Sequence, residues 1–210
     1  MKYKILIVDD HLVVKAGVSI ILKNEIPNLE ISYACNYSET LQKIKVDQFD
    51  LIILDINIPG GKNTEMISEI RHFLSNVKIL MFSAHEEEFY ALRYIHAGAD
   101  GYLNKLSGED KIVEAVRSIM EYGKYLTDEI IDKLNNSQVN NEPINPFDKL
   151  SNREIEIAKL LVRGDGNLEI SNNLGIQMST VSTYKNRIFE KLKINNLVEL
   201  IDVNRQQKVD

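Results

Sequence analysis

The stretch LIILDINIPG, residues 51–60, constrains the fold of this chain more than any other. Four apolar residues, Leu51–Leu54, are followed at once by Asp55, and Pro59 and Gly60 close the run. A short apolar run bounded by turn residues is typical of a strand buried on both faces of a parallel sheet. Asp55 then stands at the carboxyl end of that strand, the edge where open α/β sheets bind ligands. Taken alone, the same pattern also fits an aspartate that only caps the loop or the following helix.

The rest of residues 1–123 repeats the alternation of a strand with a helix. The predicted strands are residues 4–8, 29–34, 51–55, 77–83 and 100–105, and the predicted helices are residues 12–23, 38–46, 64–74, 87–97 and 109–122. Strict alternation predicts a parallel sheet with helices on both faces. Right-handed crossovers and short loops leave few topologies, of which we choose the flavodoxin-like strand order 2-1-3-4-5.

Polar residues stand at the ends of four of these predicted strands. They are Asp9 and Asp10 after the first, Asp55 after the third, Ser83 on the fourth and Lys105 on the fifth. Three carboxylates at one sheet edge repel one another unless a cation joins them, and oxygen ligands suit Mg²⁺. Such a metal would neutralise charge during attack of Asp55 on a phosphoryl group, while Lys105 and Ser83 hold its oxygens. Each residue alone also fits an ordinary cap, turn or solvated charge.

The motifs Asp9-Asp10, LIILDINIP, MFSAH and GYLNK, in this order and spacing, resemble those of bacterial response-regulator receiver domains. The resemblance covers roughly residues 1–123. It implies that Asp55 accepts a phosphoryl group from a sensor histidine kinase. It also implies that Mg²⁺ is bound by Asp9 or Asp10, by Asp55 and by the backbone carbonyl of Asn57.

The same resemblance makes Ser83 and Tyr102 a switch pair, in which Ser83 turns toward the phosphate and Tyr102 swings inward behind it. Two positions need comment. Asn63 stands where the family usually has glycine, and because asparagine tolerates a left-handed backbone we expect the loop to keep its shape. His85 follows the fourth strand closely, and we interpret it as a surface loop histidine.

The second half of the chain begins with a predicted short helix, residues 127–134, and an Asn-rich linker at about 136–147. We therefore divide the chain into residues 1–123, a joining segment 124–147 and a second domain 148–210. Ser151 and Glu154 form a capping box that opens the first helix of that domain. The two helices at residues 167–174 and 178–193, joined by a turn with Gly175, have the helix-turn-helix pattern.

The longer helix of that pair displays hydroxyl, amide and cationic side chains, the groups that contact phosphates and base edges. The candidate DNA contacts are Ser179, Thr180, Ser182, Thr183, Lys185, Asn186, Arg187 and Lys191. A merely solvated helix face is the alternative.

Residues 150–203 resemble the LuxR-type output domain of NarL/FixJ response regulators, through LSNREIEIAKLL, GNLEISNNLGI and STVSTYKNRIFEKLKI. The resemblance implies a four-helix domain whose third helix enters the major groove and whose fourth helix pairs two copies. The fourth helix carries Leu197, Leu200 and Ile201, which we assign to the homodimer. Gln177, where the family usually has serine, is a poor N-cap for the recognition helix.

Charge and composition add limits to these interpretations. Residues 1–134 carry a net charge of −6 and residues 135–210 carry none, so DNA binding would depend on a local basic face rather than on bulk charge. One cysteine, Cys35, excludes an internal disulfide. We see no transmembrane run and no signal peptide, and expect a cytoplasmic protein without a membrane partner.

Our preferred interpretation is a transcription regulator, not an enzyme, that phosphorylation switches and that binds a double-stranded DNA operator as a homodimer. The first alternative is a Mg²⁺-dependent phosphatase. Such enzymes carry the nucleophile on the first strand and an acid two residues later, whereas this chain has Asn57 two residues after Asp55 on the third strand. The second alternative is a DNA-binding protein whose receiver no longer switches, against which the full set of polar residues argues.

Overall fold

The computed structural model describes residues 2–132, 134 and 146–206. The chain divides into two compact units, residues 1–135 and 136–210. Nearly all of the predicted linker, residues 136–147, therefore lies outside the described residues. No helix in the described part of the chain is long and apolar enough to cross a membrane.

Five parallel strands form the sheet of the first unit. They are β1 (Tyr3–Val8), β2 (Leu29–Ala34), β3 (Leu51–Leu54), β4 (Lys78–Ser83) and β5 (Gly101–Asn104). Their order is β2-β1-β3-β4-β5, which confirms the predicted flavodoxin-like topology. The central strand β3 is buried at every position, as its continuous apolar run predicted.

Helices follow the strands in strict alternation. They are α1 (Leu12–Glu25), α2 (Tyr37–Val46), α3 (Glu65–Phe73), α4 (Glu87–His96) and α5 (Glu109–Tyr122). One core layer joins alternate strand residues, such as Ile5, Ile7 and Phe82, to the apolar sides of α1 and α5. The intervening strand residues point to the opposite face of the sheet, because side chains alternate along a strand. Helices thus cover both faces of the sheet, and the loops that follow the strands lie at its carboxyl edge.

The first unit continues beyond residue 123, where we had predicted its end. Tyr125 is buried, and it forms an isolated parallel bridge with Gly101 on the edge strand β5. A Cβ atom on Gly101 would lie only 3.0 Å from the Tyr125 carbonyl oxygen, so glycine permits this close approach. Thr127 links the segment around Tyr125 to α4, because its hydroxyl donates a hydrogen bond to the Glu87 carboxylate at 2.5 Å. Residues 128–132 are then helical.

The second unit is helical throughout its described part. A 3₁₀ turn (Pro146–Lys149) precedes α6 (Asn152–Arg163), α7 (Asn167–Leu174), α8 (Met178–Leu192) and α9 (Leu197–Gln206). The predicted capping box is present, because Ser151 Oγ accepts from the Glu154 amide and the Glu154 carboxylate accepts from the Ser151 amide. Phe147 is 1% exposed, so the packed unit begins before residue 148 and this aromatic ring belongs to its core rather than to the linker.

Candidate functional site

An acidic cluster occupies the carboxyl edge of the sheet. Asp9 and Asp10 follow β1, and Asp55 follows β3, the strand paired with β1. Together with His11, these carboxylates offer ligand atoms that all lie within 4.8 Å of one another. Asp9 is 1% exposed and Asp55 is 4% exposed, whereas Asp10 faces solvent. Buried carboxylates this close repel each other strongly unless positive charge lies between them.

Lys105 supplies positive charge within the chain itself. Its Nζ atom lies 2.6 Å from Asp9 Oδ2 and 2.9 Å from Asp55 Oδ2. Burial alone lowers the pKa of Lys105, but hydrogen bonds to Asp9 and Asp55 and their charges outweigh it, so the pKa is raised. The ammonium group therefore stays charged and joins the two buried carboxylates in this structure.

The donor set also fits a hard divalent cation. Carboxylate oxygens from Asp9, Asp10 and Asp55 are the ligands that Mg²⁺ prefers. The backbone nitrogen of Asn57 lies 3.3 Å from Asp55 Oδ1, and this hydrogen bond holds the backbone of Asn57 beside the cluster. We did not single out His11, whose Nδ1 lies 2.8 Å from Asp10 Oδ1 and 3.1 Å from Asp9 Oδ1. Its position directly after two aspartates was the available signal.

The two predicted switch residues meet at the backbone of the β4–α4 loop. Ser83 ends β4 and is buried, and its Oγ accepts from the His85 amide at 3.2 Å. Tyr102 on β5 is fully buried, and its hydroxyl donates to the His85 carbonyl oxygen at 2.9 Å. Burial raises the pKa of Tyr102, so the phenol keeps its proton and acts as the donor. Tyr102 is thus in the inward position in this structure.

His85 is not the simple surface histidine that we expected. It is partly buried, and its imidazole stacks on Tyr90 with ring centroids 4.4 Å apart. Its Nε2 lies 2.9 Å from Nδ2 of Asn57. Its carbonyl oxygen accepts from Asn104 Nδ2 at 2.9 Å, besides accepting from the tyrosine already described. The loop after β4 is therefore joined to the loop after β3.

Sequence reasoning also missed Lys15, a buried cation beneath the cluster. Its Nζ atom donates to the Asp9 carbonyl oxygen at 2.6 Å and lies 3.0 Å from Cys35 Sγ. Lys15 belongs to the same buried side of α1 as Val18 and Leu22. A lysine on an otherwise apolar stripe was the signal that could have revealed it.

In the second unit, α8 carries the predicted nucleic-acid contacts, and several of them lie on the side away from its buried residues. Val181 and Ile188 are fully buried. The exposed candidates are Ser179, Thr183, Asn186, Arg187 and Lys191, and the partly buried ones are Thr180, Ser182 and Lys185. Helix α8 packs against both α6 and α7, which holds this polar face in a fixed orientation within the unit. Hydroxyl, amide and guanidinium groups on an exposed helix can contact phosphates and base edges.

Comparison with known families decides what these two units are. Residues 5–117 match the response regulator receiver domain, and residues 148–204 match the bacterial regulatory proteins of the luxR family. The chain belongs to the NarL/FixJ-type response regulators. It is accordingly a DNA-binding transcription regulator with a receiver domain and a LuxR-type output domain.

Relatives of this response regulator match along nearly the whole chain. The oxygen regulatory protein NreC of Staphylococcus carnosus is 32% identical over 98% of each chain. The response regulator GacA of Pseudomonas syringae is 34% identical over 94% of this chain and 92% of its own. RcsB of Salmonella enterica, solved bound to promoter rprA, shares the fold with a TM-score of 0.62 at 18% identity, with full coverage of both chains.

The structure gives one predicted DNA contact of the response regulator a different partner. Lys191 Nζ lies 2.6 Å from Glu154 Oε2, and the Glu154 side chain is buried. Burial alone would raise the pKa of Glu154, but hydrogen bonds to Lys191 and Ser151 lower it. Lys191 thus neutralises a buried carboxylate that caps α6, and its side chain is still 41% exposed, so a role in DNA contact stays a prediction.

Ser182, a predicted DNA contact, and Leu200, a predicted dimer contact, both make contacts within the output domain itself. Ser182 Oγ accepts from Asn167 Nδ2 at 3.1 Å and donates to the Met178 carbonyl oxygen at 3.1 Å, which joins α7 to α8. Leu200 is 0% exposed and lies on α9, which packs against α6. Assigning Leu200 to the dimer interface was wrong, because the side chain is already covered by its own domain.

Proposed function

We propose that this response regulator accepts a phosphoryl group on Asp55 from a sensor histidine kinase and thereby changes its binding to DNA. One observation carries the proposal. Asp55 is a buried nucleophile at the end of the central strand, with Lys105 at 2.9 Å and further carboxylates beside it. This arrangement supplies a nucleophile, a mobile cation and the ligands for a divalent ion in one place.

Mg²⁺ would be held by Asp9, Asp10, Asp55 and the backbone carbonyl of Asn57. When bound, it supplies positive charge that offsets the negative charge on the transferring phosphoryl group. A carboxylate oxygen of Asp55 attacks phosphorus, and the bond from phosphorus to the donor nitrogen breaks. Lys105 then exchanges a carboxylate for a phosphoryl oxygen, which its flexible side chain allows.

Ser83 and Tyr102 would report the presence of the new group. The Ser83 hydroxyl would donate its proton to a phosphoryl oxygen in a charge-assisted hydrogen bond, whereas its Oγ atom at present accepts from the His85 amide. Tyr102 in its inward position is hydrogen-bonded to the same loop. Phosphorylation thereby favours one arrangement of the β4–α4 loop over another.

DNA binding would follow through α8 in the major groove, with a homodimer presenting two copies to two half-sites. Ser179, Thr183, Asn186 and Arg187 are exposed on that helix and suit the contact. On α9, Leu197 and Ile201 are partly exposed and Val198 is 66% exposed, so these apolar side chains suit the pairing of two copies. RcsB, which shares this fold, has been solved bound to promoter DNA in the presence of the phosphomimetic BeF₃⁻, and this agrees with DNA binding by a phosphorylated regulator.

The test compares wild type with Asp55→Asn and with Asp47→Asn, an exposed aspartate after α2. Each is incubated with acetyl phosphate and Mg²⁺, and phosphoryl uptake is measured by intact-mass spectrometry. We expect uptake by wild type and Asp47→Asn but not by Asp55→Asn. Genome-wide footprinting with and without the donor then gives the operators. Equal uptake by Asp55→Asn would contradict the assignment of the nucleophile.

A further inference from the structure

Two aromatic rings of α8 each lie beside a cation of the same helix. The guanidinium carbon of Arg187 lies 5.9 Å from the centre of the Tyr184 ring. The Nζ atom of Lys185 lies 5.6 Å from the centre of the Phe189 ring. Both distances fall within the roughly 6 Å over which the face of an aromatic ring attracts a cation. We call these two arrangements the Tyr184 pair and the Phe189 pair, and in each the ring restricts where the cation can go.

The two pairs lie on opposite flanks of α8. Val181 and Ile188 are fully buried and mark the inner side of the helix. Because successive residues of a helix are turned by about 100°, the Tyr184 pair falls on one side of this buried line and the Phe189 pair on the other. Both rings are partly buried, so each is anchored against the body of the domain and can hold its cation at the rim of the helix.

Between the two pairs, α8 presents the polar residues that suit base edges. Ser179, Thr183 and Asn186 are exposed, and their helix positions lie opposite the buried line. A helix about 10–12 Å across fills a major groove about 12 Å wide, so one phosphate backbone runs along each of its flanks. The cations of the two pairs are therefore placed to meet the two backbones while the outer side of the helix meets the bases.

We propose that Tyr184 and Phe189 are positioning residues that hold Arg187 and Lys185 toward the two phosphate backbones before DNA binds. The inference rests on the proposed function, because it concerns how α8 binds DNA. A long side chain that becomes ordered on binding loses conformational entropy, and this loss weakens binding. A cation that a ring already restricts loses less entropy. Each ring therefore strengthens DNA binding through its cation.

The variants separate the aromatic ring from apolar packing and from the tyrosine hydroxyl. Tyr184→Leu and Phe189→Leu remove the ring but keep a large apolar side chain at a partly buried position. Tyr184→Phe keeps the ring and removes only the hydroxyl. Each leucine change is also combined with Arg187→Ala or Lys185→Ala, the change that removes the cation of its own pair. The control is Tyr122→Leu, because Tyr122 is 80% exposed on α5 of the other unit.

The full-length proteins, treated with acetyl phosphate and Mg²⁺, are titrated onto a labelled random-sequence duplex at several salt concentrations. A random duplex isolates the phosphate contacts, because sequence-independent binding depends on them. We expect each leucine variant to bind about two- to tenfold more weakly than wild type, the effect of ordering one long side chain. Without the cation of its pair, the leucine change should have no further effect. Tyr184→Phe and Tyr122→Leu should match wild type.

The salt dependence distinguishes a positioning residue from a phosphate contact. Arg187→Ala should lower the slope of log K against log salt by about 0.9, because a phosphate contact is lost. Tyr184→Leu should keep the wild-type slope, because Arg187 still reaches its phosphate. Nitrogen relaxation of the Arg187 side chain in the DNA-free protein checks the restraint directly. The order parameter of its Nε–H group should fall in Tyr184→Leu and keep the wild-type value in Tyr184→Phe.

Several results would overturn the inference. Unchanged affinity in either leucine variant, or an equal loss once the cation of the pair is absent, would show that the ring does not act through that cation. A slope as low in Tyr184→Leu as in Arg187→Ala would make the ring part of the contact itself. An equal loss in Tyr184→Phe and Tyr184→Leu would assign the effect to the hydroxyl. If wild type binds no duplex at all, the proposed function fails first and this inference falls with it.

Discussion

The Lys105 ammonium group lies 2.6 Å from the Asp9 carboxylate, so the acidic cluster contains its own counter-ion. The same ammonium group contacts Asp55, the proposed phosphoryl acceptor. A divalent cation bound to these carboxylates would compete with Lys105 for the same oxygens, and its binding would free the lysine to move. Metal binding and the availability of Lys105 for a phosphoryl oxygen would then be linked through Asp9.

Replacing Lys105 with methionine should lower stability in the absence of metal and increase the stabilising effect of Mg²⁺. Asp9 and Asp55 would remain buried without the cation between them, and Mg²⁺ would meet no competitor. Thermal unfolding with and without Mg²⁺ measures both effects, with Lys111→Met on the exposed part of α5 as the control. An equal response to Mg²⁺ in wild type and Lys105→Met would contradict the competition.

The sign of the pH effect follows from the raised pKa of Lys105. Such a group contributes its full stabilisation below its ordinary pKa of 10.5 and loses it as pH rises through the higher folded value. The stability difference between wild type and Lys105→Met should therefore persist from neutral pH to 10.5 and shrink at still higher pH.

Lys191→Met should destabilise the output domain at neutral pH by about 1–3 kcal/mol, because it removes the cationic partner of a buried carboxylate. The Glu154 pKa is lowered in the folded state, so the stabilisation is present above its ordinary value of 4.5 and is lost as pH falls through the folded value. Urea unfolding from neutral pH to below pH 4.5 measures the free energy of unfolding of each variant. Lys193→Met, a change at an exposed lysine, serves as the control. Equal destabilisation by both variants would argue against the pair.

Asn63 has a φ angle of 55°, in the left-handed region, as its place in the loop before α3 indicated. Asn63→Ala should cost about 1 kcal/mol because the left-handed conformation is unfavourable for alanine. Asn63→Gly should be neutral or stabilising. Asn24→Ala, at an exposed position within α1, should not destabilise, since alanine favours a helix. Denaturant unfolding measures the free energy of unfolding of these variants. An Asn63→Ala variant as stable as wild type would contradict the left-handed backbone conformation of Asn63.

Lys185→Ala and Arg187→Ala should weaken binding to all duplexes and flatten the salt dependence. Each lost phosphate contact lowers the slope of log K against log salt by about 0.9. Anisotropy titrations at several salt concentrations, on operator and random duplexes, measure this. Arg163→Ala, exposed at the end of α6, serves as the control. If neither variant alters binding, α8 is not the recognition helix.

Asn186→Ala should behave differently, because an amide suits a base edge rather than a phosphate. We expect a loss on the order of 1–3 kcal/mol on the operator and little change on random DNA. The same titrations, repeated on operators with single base changes, identify the base pair that Asn186 contacts, since only a change at that pair should affect wild type more than Asn186→Ala. An equal loss on both kinds of duplex would show that Asn186 contacts the backbone.

The sequence predicted those parts of the fold that depend on local pattern. Apolar runs and helical stripes placed every strand, the helices α1 to α5, and α7 and α8 to within about two residues, since periodicity reflects burial directly. The cluster of polar side chains at the carboxyl edge of the sheet could also be predicted, because the carboxyl ends of parallel strands lie at the same edge. The Asn57–His85 bridge could not, since it joins two loops through side-chain orientations that no local pattern contains.

The second unit shows a further limit of sequence reasoning. The pairing of Lys191 with Glu154 depends on how α6 packs against α8, so its helix position alone suggested a free cation. Leu200 shows the same ambiguity for apolar residues, because a helical stripe that covers its own core resembles one that pairs with a second copy. Only the three-dimensional packing separates these cases.

The burial of Leu200 limits which variants can test the proposed pairing of two copies through α9. Truncating the chain before α9 would expose the core of the DNA-binding unit, so the shortened protein would lose its fold together with any partner contact. Loss of operator binding after such a truncation would therefore say nothing about subunit association. If α9 pairs two copies as proposed, a monomeric regulator has to be made by point changes at outward positions such as Val198. Such point changes leave Leu200 in place, so the folded DNA-binding unit and the association of two copies can be altered independently of each other.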